Sequence, residues 1–183
     1  MRLLTSLRGM VDIDKQNLPS VLAEAEEGAD LANLDLSGLQ LAGFRLRRVK
    51  LAGANLAGAN LANADLTASD LKGANLQDAT LRGASLFGAD LGQSNLVRAN
   101  LVGADLTAAN LTDSNLQTAV LEAAELRGAV LVDANLMNAD LRKANLEDAN
   151  LMNANLTNAD LSEANLTDAI FKGAIRPDGS ISG

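Results

Sequence analysis

The chain contains no cysteine, no histidine, no tryptophan and no tyrosine. Each absence removes a class of chemistry. Without cysteine there is neither a disulfide framework nor a thiolate metal site. Without histidine the commonest general base and the commonest metal ligand are missing. Aromatics are 2% of 183 residues, all of them Phe, and only two prolines interrupt the chain. An ordinary globular core of this size uses more aromatic volume than that. Yet 48% of the residues are hydrophobic, so the apolar content must stack in some regular way. No run approaches the ~20 apolar residues of a membrane-spanning helix. The leucines of residues 1–13 are interrupted by Arg8 and lack the length and cleavage site of a signal peptide. The expectation is a soluble, cytoplasmic protein without membrane insertion.

The net charge is −8, and Arg45, Arg47, Arg48 and Lys50 hold four of the 15 basic residues. Residues 51–170 carry 6 basic and 15 acidic side chains, a net of −9. An acidic body with one basic band opposes direct nucleic-acid binding, which requires neutralising phosphates.

What the chain does have is a repeat. Stepping by five from Leu31 reaches 29 positions; all are Leu except the last, Phe171. Call this position the centre. Two residues earlier the residue is Ala at 22 of 25 steps from Ala54 to Ala174, with Ser69, Ser94 and Ser114 as exceptions. Immediately before the centre, Asn or Asp fills 18 of 23 steps from Asn55 to Asn165. The two residues after the centre vary freely.

A period of five suits neither regular element. On an α-helix a step of five rotates about 140°, so the leucines would spiral around the axis. In a flat strand an odd step puts alternate leucines on opposite faces. The chain must therefore turn once per repeat, and the turn resets the face. The centre and the residue two before it point inward, the residue between them points outward, and the next two form a corner. The second corner residue is Gly, Asn or Asp in 20 of 29 units, as a type II turn with positive φ at that place requires.

A weaker period of 20 gives the number of sides. Asn55, Asn75, Asn95, Asn115, Asn135 and Asn155 form one unbroken phase, the signature of an amide ladder on one side of a four-sided coil. The large inward residues Leu34, Leu39, Phe44 and Val49 amount to one coil and would plug its first turn. The chain divides into an N-terminal segment (1–28), a repeat body (29–174) and a C-terminal tail (175–183). About seven coils at ~4.8 Å spacing make a rod on the order of 34 Å long. Leu18, Val21, Leu22 and Ala25 lie on one face of a short capping helix. Pro19 suits its first turn and Gly28 its end, while Glu24, Glu26 and Glu27 oppose its dipole. At the other end Ile170 and Ile175 take slots that usually hold Asn or Asp. Arg176-Pro177-Asp178-Gly179 forms a turn that folds Ile181 back over the last coil.

The unit Ala-Asn/Asp-Leu-x-x, as in Ala54-Asn55-Leu56-Ala57-Gly58 and Ala154-Asn155-Leu156-Thr157-Asn158, resembles the motif of the pentapeptide-repeat family. The resemblance implies an all-β fold, a right-handed quadrilateral parallel β-helix, and no shared catalytic residues or cofactor. The N-terminal helix and the ending Gly173–Ile181 are similar to cyanobacterial members, among them those linked to heterocyst regulation.

Two functions follow as expectations. The first is a non-enzymatic scaffold that binds an unidentified protein through an outward face. Its candidate residues are Val130, Val132, Met137 and Met152, with Phe87 and Val97 as a second, looser pair. Arg45, Arg47, Arg48 and Lys50 either meet an acidic partner or a membrane surface, or neutralise the acidic N-terminal helix. The alternative is an acidic mimic of DNA that inhibits DNA gyrase or another DNA-binding protein. Magnitude opposes it. About 29 Å of duplex carries ~17 charges, against −9 over residues 51–170. Monomer and end-to-end dimer both remain open.

Overall fold

A computed structural model describes residues 28–183. The proposed capping helix, with Leu18, Pro19, Val21, Leu22, Ala25, Glu24, Glu26 and Glu27, lies outside the described residues. Within them the backbone forms parallel bridges between residues 20 apart. One ladder runs Asp30, Lys50, Asp70, Asp90, Asn110, Val130, Asn150, Ile170. The second runs from Asp35 through the Asn column to Ile175, the third from Gln40 to Asp160 and the fourth from Arg45 to Asn165. Four ladders five residues out of phase are four sides of one coil, called sides 1 to 4 in that order. Each coil stacks on the next.

The backbone accounting closes almost completely within each unit. In Ala54–Gly58, the Leu56 N–H donates to the Asn75 carbonyl of the following coil (2.7 Å), and the Gly58 N–H to that of Gln77 (2.8 Å). The Asn55 N–H donates back to Leu34 (2.9 Å), and Ala54 closes the corner on Leu51 (2.9 Å). The fifth N–H, on Ala57, lies at the corner and finds no carbonyl. The Asn55 Oδ1 accepts it at 3.3 Å. Asp65, Asp90, Asn110, Asn135, Asp140 and Asn155 do the same for the residues two places on. This is the reason for Asn or Asp before the centre: a short side-chain acceptor satisfies an otherwise orphaned donor.

Every second corner residue from Asn33 to Gly173 has positive φ, between 55° and 71° up to Asp168 and 75° at Gly173. The first corner residues do not, and the N–H three residues after each centre donates to that centre's carbonyl. That pattern is a type II turn. Nineteen of these corners are not glycine, and Thr118 (φ 56°) is the β-branched one.

Inside, the leucines from Leu31 to Leu156 are fully buried, as are the alanines beside them. Leu39 and Val49 are buried in the first coil, and Leu34 and Phe44 pack on the core. The large residues expected to plug the first turn therefore do face inward. Ser69 and Ser114 replace Ala and donate their hydroxyls to the Leu66 and Leu111 carbonyls (2.7 Å each). The equally buried Ser94 Oγ has no partner. An unsatisfied buried hydroxyl costs about 1–3 kcal/mol. Ser94→Ala is therefore expected to raise the thermal midpoint by roughly 2–4 °C per kcal/mol recovered in a chain of this size. Ser114→Ala should gain nothing, and calorimetry on the two variants separates them.

Candidate protein-binding face

The 20-residue register assigns each exposed side chain to a side or a corner. The face of interest is side 2, whose outward column is Asn55, Asn75, Asn95, Asn115, Asn135 and Asn155. No charge interrupts this column. At its start the amides link up: Asn55 Nδ2 donates to Asp35 Oδ1 (3.0 Å), Asn75 to Asn55 (3.0 Å) and Asn95 to Asn75 (3.1 Å). From Asn115 onward the Nδ2 groups make no such bond, and only the Oδ1 atoms are used, on the N–H groups of Gln117, Met137 and Thr157. The ladder expected over the whole column is thus closed over its first half.

The apolar candidates border that second half. Val132 and Met152 occupy the corner between sides 1 and 2, one coil apart, about 4.8 Å along the axis. Met137 lies on the corner between sides 2 and 3, across the Asn135 position from Val132. Val130 sits on side 1, next to the Val132 corner. All four are half-buried, so each leans on its neighbours and leaves an apolar edge to solvent. Val97 stands on the same corner as Met137, two coils earlier. Phe87, 48% exposed, is on the corner between sides 4 and 1, diagonally opposite Val97. The looser Phe87–Val97 pair therefore does not exist: ten residues is two sides of a four-sided coil, which puts the two side chains on opposing corners.

Val130 also breaks the corner rule. It stands where Asn or Asp would accept the Val132 N–H, and that N–H has no hydrogen bond among the described residues. Sequence alone does not reveal this, because there the Asn column reads as a ladder and the Asn or Asp before each centre is assigned no capping role.

Arg45, Arg47, Arg48 and Lys50 are exposed on side 4, its following corner and side 1. Arg47 faces Asp65 at 3.8 Å. Arg98 makes a two-pronged bond to Asp78 (2.6 and 2.7 Å), which holds that carboxyl below its ordinary range. On side 3 the Arg142 guanidinium forks onto Asp140 (2.8 and 2.7 Å). It also lies 3.5 Å from Glu122 and 3.9 Å from Asp160. The hydrogen bonds from Arg142 keep Asp140 below the usual carboxylate range. These are exposed pairs worth little to stability; they set the charge of side 3 and of the corners that border it. Among the described residues no group of carboxylates could hold a metal ion, and no helix is long and apolar enough to cross a membrane.

A stack of four-sided coils with a leucine-filled axis presents only its outside, and it is a solenoid of quadrilateral parallel β-helix type. The family model for pentapeptide repeats matches in eight copies over residues 45–83, 84–122, 114–151 and 134–173. The chain belongs to the pentapeptide-repeat family, whose members fold as right-handed quadrilateral β-helices. It is similar to HetL, a pentapeptide-repeat protein involved in heterocyst differentiation regulation from the cyanobacterium Nostoc sp. strain PCC 7120. Identity is 31%, over 91% of this chain and 97% of HetL, with a TM-score of 0.31. It is also similar to a pentapeptide-repeat protein of the Arabidopsis thaliana thylakoid lumen (30% identity, 78% of this chain, 79% of that one, TM-score 0.43). Rfr23 from the cyanobacterium Cyanothece 51142 is 28% identical over 79% of this chain and 85% of its own, with a TM-score of 0.31. No curated protein matches the sequence.

Proposed function

We propose that this protein is a non-enzymatic scaffold that holds another protein on the edge of side 2 formed by Val130, Val132, Met137 and Met152. The observation that carries this reading is Val130. The Val132 N–H goes without its corner acceptor there, and an apolar side chain extends the Val132–Met152 edge instead. Other units break the rule too, as Val120 does for the Glu122 N–H, but at Val130 the break adjoins a cluster of half-buried apolar side chains, and that conjunction is what a binding surface looks like. The neutral amide column beside it suits an uncharged partner surface. The family's generally non-catalytic character and a core with no open cleft along the axis support a scaffold. HetL, involved in heterocyst differentiation regulation, supports a regulatory one. The outward column from Asn55 to Asn155 on side 2 is neutral, and Asp78, Asp113 and Asp133 on its corners are too few to give a DNA mimic a charged face there.

The test uses stability and binding together. Val130→Asn restores the corner acceptor. It should stabilise by about 1 kcal/mol and raise the thermal midpoint by roughly 2–4 °C, yet lose the partner. Met137→Asp should lose the same partner at an unchanged midpoint. Phe87→Asp, on the far corner, should keep it. Affinity capture with mass spectrometry and scanning calorimetry read these outcomes. Retention of the full wild-type set by both Val130→Asn and Met137→Asp overturns the surface.

A further inference from the structure

Sulfur is the side-chain atom that mild oxidants attack, and this chain holds little of it. There is no cysteine, and the four methionines are Met1, Met10, Met137 and Met152. Met1 and Met10 lie outside the described residues. The other two border side 2 in successive coils, Met137 on its corner with side 3 and Met152 on its corner with side 1. The buried core is leucine, alanine, valine and serine, with phenylalanine packed against it, and holds no sulfur.

The other exposed apolar side chains hold none either. Phe87 is 48% exposed on the far corner, and Ile170 points outward from side 1. At the C-terminal end, residues 180–182 turn back and pair with side 2. Ser182 N–H donates to the Ala174 carbonyl and Gly173 N–H to that of Ser182 (2.8 Å each), and Ile175 and Ile181 form an antiparallel bridge. This tail leaves Leu166 37% and Ile181 73% exposed, so Ile181 does not close the last coil as its place after the turn predicts. Every oxidisable sulfur among the described residues therefore lies on the edge proposed to hold a partner.

The backbone of both methionines is fixed without help from their side chains. Met137 N–H donates to Asn135 Oδ1 (3.2 Å), and its carbonyl accepts from Thr118 (3.0 Å). Met152 N–H donates to Asn150 Oδ1 (3.1 Å), and its carbonyl accepts from Asp133 (2.9 Å). Both side chains are half-buried on the outside of the rod. A change of polarity at sulfur thus alters the surface and no bond that holds the coil.

We infer that Met137 and Met152 form a reversible oxidation site, modified by hydroperoxides, that releases the docked partner and leaves the fold intact. The inference rests on the docking reading of this edge. With hydrogen peroxide, the sulfur lone pair attacks one oxygen, the O–O bond breaks and an S–O bond forms. The departing oxygen takes the proton of the transferred one and leaves as water. The thioether is oxidised to a sulfoxide and the peroxide is reduced. The product is polar where the partner meets an apolar edge, and burying it without a donor is costly. Asn135 and Asn155 stand beside the two methionines and use only their Oδ1 atoms. Their Nδ2 groups are donors to which the new oxygen can turn, which draws the oxidised side chains off the edge and onto the amide column.

The test treats the purified full chain with hydrogen peroxide, removes the peroxide with catalase and then repeats the affinity capture. Peptide mass spectrometry should place one added oxygen on Met137 and one on Met152. Circular dichroism and the thermal midpoint should not change. Over a series of doses, the loss of captured partner should follow the fraction of chains oxidised at Met137 or Met152, and not the fraction oxidised at Met1 or Met10. The two methionine sulfoxide reductases, one for each epimer, should restore capture. A methionine of this pair that stays unmodified at a dose that oxidises it in the urea-unfolded chain overturns the inference. So does a midpoint that falls in step with capture, a loss that follows Met1 or Met10, or a loss that the reductases do not reverse. An oxidised chain that keeps the wild-type set while Met137→Asp loses it overturns this inference alone and leaves the docking reading standing. Retention of that set by both Met137→Asp and Val130→Asn removes the docking reading, and this inference with it.

Discussion

Leu106→Ala should cost about 2–5 kcal/mol, the largest loss expected from removing three carbons anywhere in the chain. Leu106 is fully buried and lies mid-stack, with a leucine one coil before it (Leu86) and one after (Leu126). Its neighbours are held by hydrogen bonds at 2.6–3.1 Å along every side. The coil cannot shrink to close the space, because its perimeter is set by four rigid corners. The cavity cost therefore adds nearly in full to the lost transfer energy. Val102→Ala removes two carbons from a half-buried outward corner nearby and should stay within about 0.5 kcal/mol. Urea unfolding of the two variants reads the difference. Similar losses in both would mean that the axis is not the source of stability. Each coil touches only its neighbours, so the same cut placed near either end should cost less than at Leu106.

The second large effect belongs to the corners. Gly103 has φ 63°, and a Cβ added there would meet nothing within 4 Å. Any cost of substitution is therefore backbone strain and not a clash. Gly103→Val should lose about 1–3 kcal/mol, since a β-branched residue tolerates the left-handed region worst. Gly103→Asn should lose much less, because Asn enters that region readily. The reciprocal change is Thr118→Gly, which relieves a β-branched residue already held at φ 56° and should stabilise. Thermal midpoints of the three variants give the order. Equal losses for Val and Asn would remove the strain account. Gly83 is a poorer test, since a Cβ there would meet the Asn63 Oδ1 at 2.6 Å.

Much of the fold was legible before any coordinates, for a physical reason. A period of five is incompatible with helix and flat strand alike, so the leucines could share an interior only if the chain turned in every unit. Gly38, Asn63 and Asp78 announced where the positive φ would fall. The unbroken Asn55–Asn155 phase announced four sides. Other features were legible but misread. Phe87 and Val97 are two sides apart by simple counting, and the four-sided register sends them to opposite corners. The Asn55–Asn155 column reads as rungs linking coils, whereas every Oδ1 in it also serves the N–H two residues on. That role depends on the corner leaving one donor per unit unpaired. The donor is visible only after the other four have been assigned.

The sequence by itself determined the class of fold, its inward and outward residues and the chemistry of its corners. All of these follow from local geometry repeated 29 times. The tertiary structure alone decided what happens where the repetition stops. It showed that Val130 leaves a corner donor unpaired beside Val132, Met137 and Met152. It also showed that the tail covers one side of the last coil and leaves Leu166 and Ile181 bare. Repetition dictates each coil from its neighbours, but an end has a neighbour on one side only. There the outcome rests on how a few particular residues pack.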